Sequence, residues 1–399
     1  MSAHTDAPVR VTMLLENNPY PRDVRVRAEA ESLVSAGYAV EVIAPRAHGQ
    51  RRREVVNGVA VRRFRCIDGS GRGASGFLLE FIIAAAALHL AAARALVRGS
   101  DVLHLHNPPD VLFAAGALFR LARRTVIFDH HDLAPETIEV KFGARWLGRA
   151  ARLCERLTYA VATHVIVTNE SYAAIAHARG RKPTESVTVV RNGPPASWLR
   201  RERREVRPGA LDPVRLAYVG ALSDQDGGDT LAPLLDGLRR RDPPVNATLT
   251  VIGDGDARRS LVSSLEHHSV ADRVTFTGWV AAERIPELLD DADVCIDPAP
   301  PTDVNTRSTM VKLAEYLALG KPVVAYDLIE ARRTAGSAAL LVAAGDLEAL
   351  IDALALVARD EAVRARLAAA AADRARSLTW ASSERALLAA YRHARGRAG

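Results

Sequence analysis

Cysteine is scarce in this chain: Cys66, Cys154 and Cys295 are the only three among 399 residues, far apart and without paired spacing. A disulfide framework and a cysteine-based zinc motif are thereby excluded, and buried free thiols in a reducing cytoplasm are expected. The opening "MSAHTDAPVRVTMLLE" has no basic stretch followed by an apolar core, so no signal peptide is expected. A bilayer-spanning helix needs roughly 20 mostly apolar residues. The candidate, "GFLLEFIIAAAALHLAAARALVR" from Gly76 to Arg98, is interrupted by Glu80, His89 and Arg94. It reads as a helix packed on a sheet, with a second reading in which its Phe77, Leu78 and Phe81 end touches a bilayer surface. Neither "YVGALSDQDGG" (218–228) nor "VIGDGD" (251–256) is a G-x-x-x-x-G-K-S/T loop or a full G-x-G-x-x-G, and carboxylates paired at glycosidase-like positions are not evident. The last absence disfavours a double-displacement hydrolase.

What is present is apolar and positively charged. Apolar residues make up 48% and charged residues 25%, with a net charge of +6. Single cores stop growing at roughly 250–300 residues, so two domains are expected. The positive excess has two readings, a bland surplus of surface arginine or a field that favours an anionic ligand or membrane.

Short apolar strands alternate with helical patterns nearly end to end, from "VRVTMLLE" (9–16) and "YAVEVIAP" (38–45) to "PVVAYD" (322–327) and "AALLVAA" (338–344). "VNGVAVRRFR" reads as a hairpin turning at Asn57-Gly58. The alternation breaks at "PPASWLRRERREVRPGALDP" (194–213), a Pro- and Arg-rich linker. Two α/β domains with mostly parallel sheets follow, and in such sheets ligands bind beyond the carboxyl ends of strands.

Candidate site residues therefore sit just after strands. Asn17 and Asn18 lie in the first such loop, with Arg22 and Arg25 near the start of the following helix; the stretch reads equally as a turn with surface arginines or as a cleft loop that closes over a ligand. His104 and His106 point the same way on "DVLHLH", with Asn107 following. With His130, His131 and Asp132 they could form a metal set, although no distinctive ligand spacing supports it. His131 and Asp132 end a strand and are candidates for cleft chemistry. Gly220, Gly253 and Gly278 end strands of the second half, where backbone can approach a ligand.

The stretch "STMVKLAEYLALG" is expected to form a helix starting at Ser308 or Thr309 and stopping at Gly320. Its first turn has no acid; Arg307 precedes it and Lys312 follows. Backbone N–H groups at Ser308, Thr309 and Met310 with those two cations would make an anion site suited to a diphosphate. Glu315, three residues beyond Lys312, shares its face and could accept hydrogen bonds from sugar hydroxyls.

These residues resemble a family. "TMVKLAEYLALGKPVVA" is similar to the donor-site helix of the GT-B retaining glycosyltransferases of family four, with Thr309 at the usual proline. "DVLHLHNPPD", "FDHHDLAPE", "VTVVRNG", "YVGALSDQDGGD", "VIGDGD", "VTFTGWV" and "WASSERALLAAYR" agree in order, over nearly the whole chain. The resemblance implies two Rossmann-like domains with parallel sheets facing a central cleft: an acceptor domain (1–195), a nucleotide-sugar donor domain (196–379) and a C-terminal helix (380–399) returning to the first.

It further implies retaining sugar transfer from a nucleotide-diphosphate sugar, UDP by prevalence in the family, without a cofactor or obligatory metal. Partners would be that donor and a sugar or lipid-linked acceptor, with peripheral contact to an anionic membrane and no nucleic acid. The protein would work in the cytoplasm or on the inner face of the membrane. His131 matches the cleft histidine and Glu315 the second acid of Glu-x7-Glu. Three features depart from the pattern: Arg307 replaces the first acid, Ala221 and Asp226 replace the diphosphate-binding Arg and Lys, and the first loop lacks Gly-Gly. An active branch, in which Arg307 and Lys312 replace the lost cations, is the expectation. A silent binding subunit and a sugar-nucleotide epimerase are its alternatives.

Overall fold

The computed structural model describes residues 7–66, 73–108, 110–202 and 204–396. The side chains of Phe77 and Leu78, two of the three residues of the expected bilayer-facing end, lie outside the described residues.

Two compact units form. One comprises the described residues up to Arg191 and those from Ser383 onward; the other is Asn192–Ser382. The first unit holds β1 (Arg10–Leu14), β2 (Ala39–Pro45), β3 (Arg53–Val56), β4 (Val59–Phe64), β5 (Val102–His106), β6 (Thr125–His130), β7 (His164–Val167) and β8 (Val187–Val189). Their order is β3-β4-β2-β1-β5-β6-β7-β8, and only the β3–β4 hairpin, turning at Asn57-Gly58, is antiparallel. The second unit holds β9 (Val214–Val219), β10 (Ala247–Ile252), β11 (Val274–Gly278), β12 (Val294–Asp297), β13 (Val323–Tyr326) and β14 (Leu340–Val342). Their order, β11-β10-β9-β12-β13-β14, is parallel throughout.

Both units are thus Rossmann-like, with helices as crossovers between parallel strands. The central strands β5, β6, β7, β12 and β13 are buried along their whole length, which is why they read as unbroken apolar runs or hide their polar residues inside.

The C-terminal helix Trp380–Gly396 packs Tyr391 into the first unit, where its hydroxyl lies 2.8 Å from His104 Nδ1. This bond ties the chain's last helix to β5 across 287 residues. The Gly73–Val97 helix packs Leu88, Ala92 and Ala95 into the first unit's core, as expected for a helix laid on a sheet. Among the described residues no helix is long and apolar enough to cross a membrane.

Candidate functional site

Strand alternation divides the residues at the ends of β5 and β6 between two faces. Leu103, Leu105, Val126 and Phe128 enter the apolar core of the first unit. His104, His106 and Asp129 turn to the other face and meet Arg25 and Glu29 of the helix Val24–Ser35.

Asp129 is the hub of this group. Its Oδ2 accepts from Arg25 Nε at 2.7 Å and lies 3.1 Å from His106 Nδ1 and 3.0 Å from His131 Nδ1; Oδ1 accepts from Arg25 Nη2 at 2.7 Å. Burial works to raise the Asp129 carboxyl, but Arg25 and His131 overcome it and hold it well below the usual carboxylate range. For His131, burial opposes protonation, yet Asp129 raises its pKa to about 9. His131 is therefore an imidazolium with Nδ1–H on Asp129 and Nε2–H as its second donor. Asn107 fixes the backbone around it: its Oδ1 accepts from His131 N at 2.8 Å and Asp132 N at 3.1 Å, and its Nδ2 donates to Asp132 O at 2.7 Å.

The expected members of this region fare differently. Asn17, Asn18, Arg22 and Asp132 are exposed on loops. Arg25 does not close over a ligand from a loop; it lies on the first helical turn, buried, and also donates to Val190 O at 2.8 Å. His106 is wholly buried, and burial keeps His104 and His106 neutral. His130 is not brought together with His104, His106 and His131. His130 faces the opposite side of β6, bonded to Tyr159 Oη at 2.8 Å and 3.4 Å from Glu155. Glu29, His104, His106 and Asp129 do bring one ligand-type atom each within 4.8 Å of the others. Arg25 already supplies the cation there, 3.2 Å from Glu29 and 2.7 Å from Asp129.

In the second unit the single helix expected from Ser308 or Thr309 to Gly320 is split. A short helix, Asp303–Arg307, is capped by Thr302, whose side chain accepts from Asn305 N. The chain then breaks, and the next helix runs from Val311 to Ala318, not from Ser308 or Thr309. Ser308 N–H turns back to Val304 O at 2.9 Å and Asn305 O at 3.3 Å, so it closes the first helix rather than opening the second. Arg307, Thr309 and Met310 are half-buried at the break.

Lys312 is buried, and its ammonium lies 3.2 Å from Asp226 Oδ1, 3.3 Å from Tyr218 Oη and 3.8 Å from Asp297 Oδ1, over the Tyr218 ring. The expected anion-binding cation is thus already paired with two acids. Ser223 Oγ donates to the other Asp226 oxygen at 2.7 Å, and Asn305 Nδ2 donates to Gln225 O at 2.6 Å, holding that loop in place. Asp297 is buried and its pKa is raised by burial against the pull of Lys312. Glu315 is half-buried and its carboxyl has no hydrogen-bond partner among the described residues; burial pushes that carboxyl up to about 7 despite Lys312.

Gly220 makes room for this lysine: a Cβ there would lie 3.2 Å from Lys312 Cε and Nζ. At Gly253 a Cβ would meet Gly220 O at 1.9 Å, so that glycine lets the loops after β9 and β10 pass each other. Gly278 ends β11 at positive φ, where a Cβ would lie 4.0 Å from Asp254 Oδ2, and Trp279 is exposed beside it.

Asp129, Asp297 and Tyr218 were not among the expected site residues, and Asp226 was expected only as a lost cation. A signal existed for one of them: Asp129 and His131 stand two apart at a strand end and so share a face.

Two parallel Rossmann-like units with charged clusters at their strand ends define the architecture of a GT-B enzyme. The family model described as "Glycosyl transferase 4-like domain" matches residues 23–193, and that described as "Glycosyl transferases group 1" matches residues 213–360. The chain is similar to a phosphatidyl-myo-inositol mannosyltransferase of Mycobacterium leprae, 27% identical over 91% of each protein. It is also similar to a GDP-mannose-dependent alpha-(1-6)-phosphatidylinositol monomannoside mannosyltransferase of Mycobacterium tuberculosis, 28% identical over 67% of this chain and 71% of that protein. In fold it matches Alr3699/HepE of Anabaena, solved in complex with UDP, with a TM-score of 0.70 at 17% identity, covering 96% of this chain and 100% of that one. The chain belongs to the GT-B glycosyltransferases of the family-four type.

Proposed function

We propose that this chain transfers a sugar, with retention, from a nucleotide-diphosphate sugar to a sugar or lipid-linked acceptor in cell-surface glycoconjugate synthesis, with no metal required. The observation that carries this reading is the placing of buried Lys312 and half-buried Glu315, whose carboxyl has no hydrogen-bond partner among the described residues, on one helix. Lys312 meets the leaving diphosphate, with Asp226 as the counter-ion that gives way to it. Glu315 accepts from ribose or sugar hydroxyls. His131, held as a cation by Asp129, donates from Nε2 to the transferring sugar. Charge grows on the diphosphate as the sugar–phosphate bond breaks, so a fixed cation stabilises the transition state more than the ground state.

The names of the mycobacterial relatives, one phosphatidyl-myo-inositol-directed and one GDP-mannose-dependent, support a lipid-linked acceptor and put GDP-mannose beside UDP-sugars as the first donors to try. The Lys312–Asp226 pair is the one observation that favours a silent binding subunit. A thermal-shift screen of UDP-, GDP- and dTDP-sugars tests the donor site, and no shift with any of them overturns the reading; turnover of the stabilising donor separates the transferase from the silent subunit.

A further inference from the structure

A cavity of about 500 Å³ opens in the second unit at the amino ends of β9, β10 and β11. Its volume falls in the range of small-molecule sites, roughly 300–1,000 Å³. β9 and β10, of six residues each, run from this cavity toward Gly220 and Gly253, about 20 Å away at roughly 3.3 Å per residue. The cavity is thus separate from the Lys312 cluster, and the transfer proposed above makes no use of it. Part of its lining is apolar: Leu211 and Val245, both buried, with Pro244 and Ala358. Leu211 N–H donates to Ala358 O at 2.9 Å, which fixes one wall to the end of the helix Leu347–Arg359.

Arg239, Arg273 and Arg359 line the same cavity, against a single acid, Asp212. Three elements bring them there: the end of the helix Leu231–Arg240, the turn Ala271–Arg273, and the end of the helix Leu347–Arg359. An arginine at a helix C-terminus is ordinary, because it meets the negative end of the dipole. Two such arginines converging with a third beside an apolar wall are not explained that way. The loop before β10 holds two of them in place. Asn246 Oδ1 accepts from Arg273 Nη1 at 2.6 Å, while Asn246 Nδ2 donates to Asp212 Oδ1 at 2.7 Å. Arg359 Nη2 donates to Pro243 O. Neither Arg273 nor Arg359 has an acidic partner among the described residues. Arg239 shares Asp236 with Arg240 and His268. A guanidinium carries five N–H donors, so these bonds leave most of each fork to a ligand. Three positive charges against one negative leave the lining with a surplus that suits a dianion, and forked donors match phosphate oxygens.

We propose that this cavity binds a small organic phosphate, with the phosphate on Arg239, Arg273 and Arg359 and an apolar or aromatic body against Leu211, Val245 and Pro244. The site stands independently of the transfer chemistry at the other end of the strands. Calorimetry on the full chain with phenyl phosphate and with inorganic phosphate tests it. Phenyl phosphate is expected to bind at least about tenfold more tightly than inorganic phosphate, because its ring covers the apolar wall. Arg273→Gln with Arg359→Gln should weaken phenyl phosphate binding by more than about tenfold, since hydrogen bonds to charged groups are lost. Ala210→Trp supplies a second variant that leaves all three arginines in place. Ala210 lines the cavity from an exposed position, so the indole fills the space without disturbing the core, and binding should be lost with Tm retained. No binding of phenyl phosphate by the wild type, equal affinity for inorganic phosphate, or unchanged binding in either variant overturns the proposal.

Discussion

The Lys312 ammonium and the Asp226 carboxylate lie 3.2 Å apart, where the family resemblance places a cation in the position of Asp226. The pair neutralises the charge that a diphosphate would otherwise meet, and Asp297 at 3.8 Å adds a second acid. Asp226 is the more replaceable partner: its side chain is 26% exposed, against 3% for Asp297. Asp226→Asn is therefore expected to tighten binding of UDP or GDP by about tenfold, or about 1.4 kcal/mol, measured by calorimetry. Weaker binding would show that Asp226 contributes to the site rather than occupying it.

Lys312→Ala has the opposite sign and a second consequence. Removing one partner of a buried ion pair typically costs about 3–5 kcal/mol, because the other charge is left uncompensated. Denaturant unfolding should show a loss of that order, reduced where Asp297 takes up a proton. Lys312→Arg is expected to keep most of the stability and separates loss of binding from loss of fold.

The His131–Asp129 contact predicts a pH dependence. His131 is raised from 6.5 to about 9 in the folded chain, because Asp129 outweighs burial. A proton held more tightly in the folded state gives stability that is complete below about pH 6.5 and is lost as pH rises through about 9; a shift of this size amounts to about 3 kcal/mol. Glu29, pushed up by burial and by Asp129, acts in the same direction. Unfolding free energy should fall between pH 6.5 and 9 in the wild type and fall less in His131→Gln. Equal slopes would remove the charge from His131.

Tyr391→Phe tests the anchorage of the last helix. The lost bond to His104 should cost about 1 kcal/mol, seen as a small fall in Tm. No change would mean that apolar packing alone holds the helix.

The strand–helix alternation was legible because parallel strands buried on both faces must be apolar runs, and the Asn57-Gly58 turn because few other pairs fit such a hairpin. Two other features were not. The Lys312 helix starts at Val311 because Thr302 caps a separate turn before it, and Ser308 N–H is consumed by that turn. Arg25 reads as a cation near a helix start, but helix periodicity does not show which neighbour a polar residue meets; its partner Asp129 is 104 residues away. Lys312 and Asp226, 86 residues apart, escaped for the same reason. Long-range charge pairs leave no local pattern.

Transfer of labelled sugar from GDP-mannose and from UDP-sugars, with release of the nucleoside diphosphate, tests the central claim most directly when wild type and His131→Ala are compared on the same lipid and sugar acceptors. The account predicts that wild type turns over one donor class, and that His131→Ala binds the nucleotide as well but turns over at least about a hundredfold more slowly. A wild-type chain that binds no nucleotide sugar, or a His131→Ala variant of full activity, would contradict it.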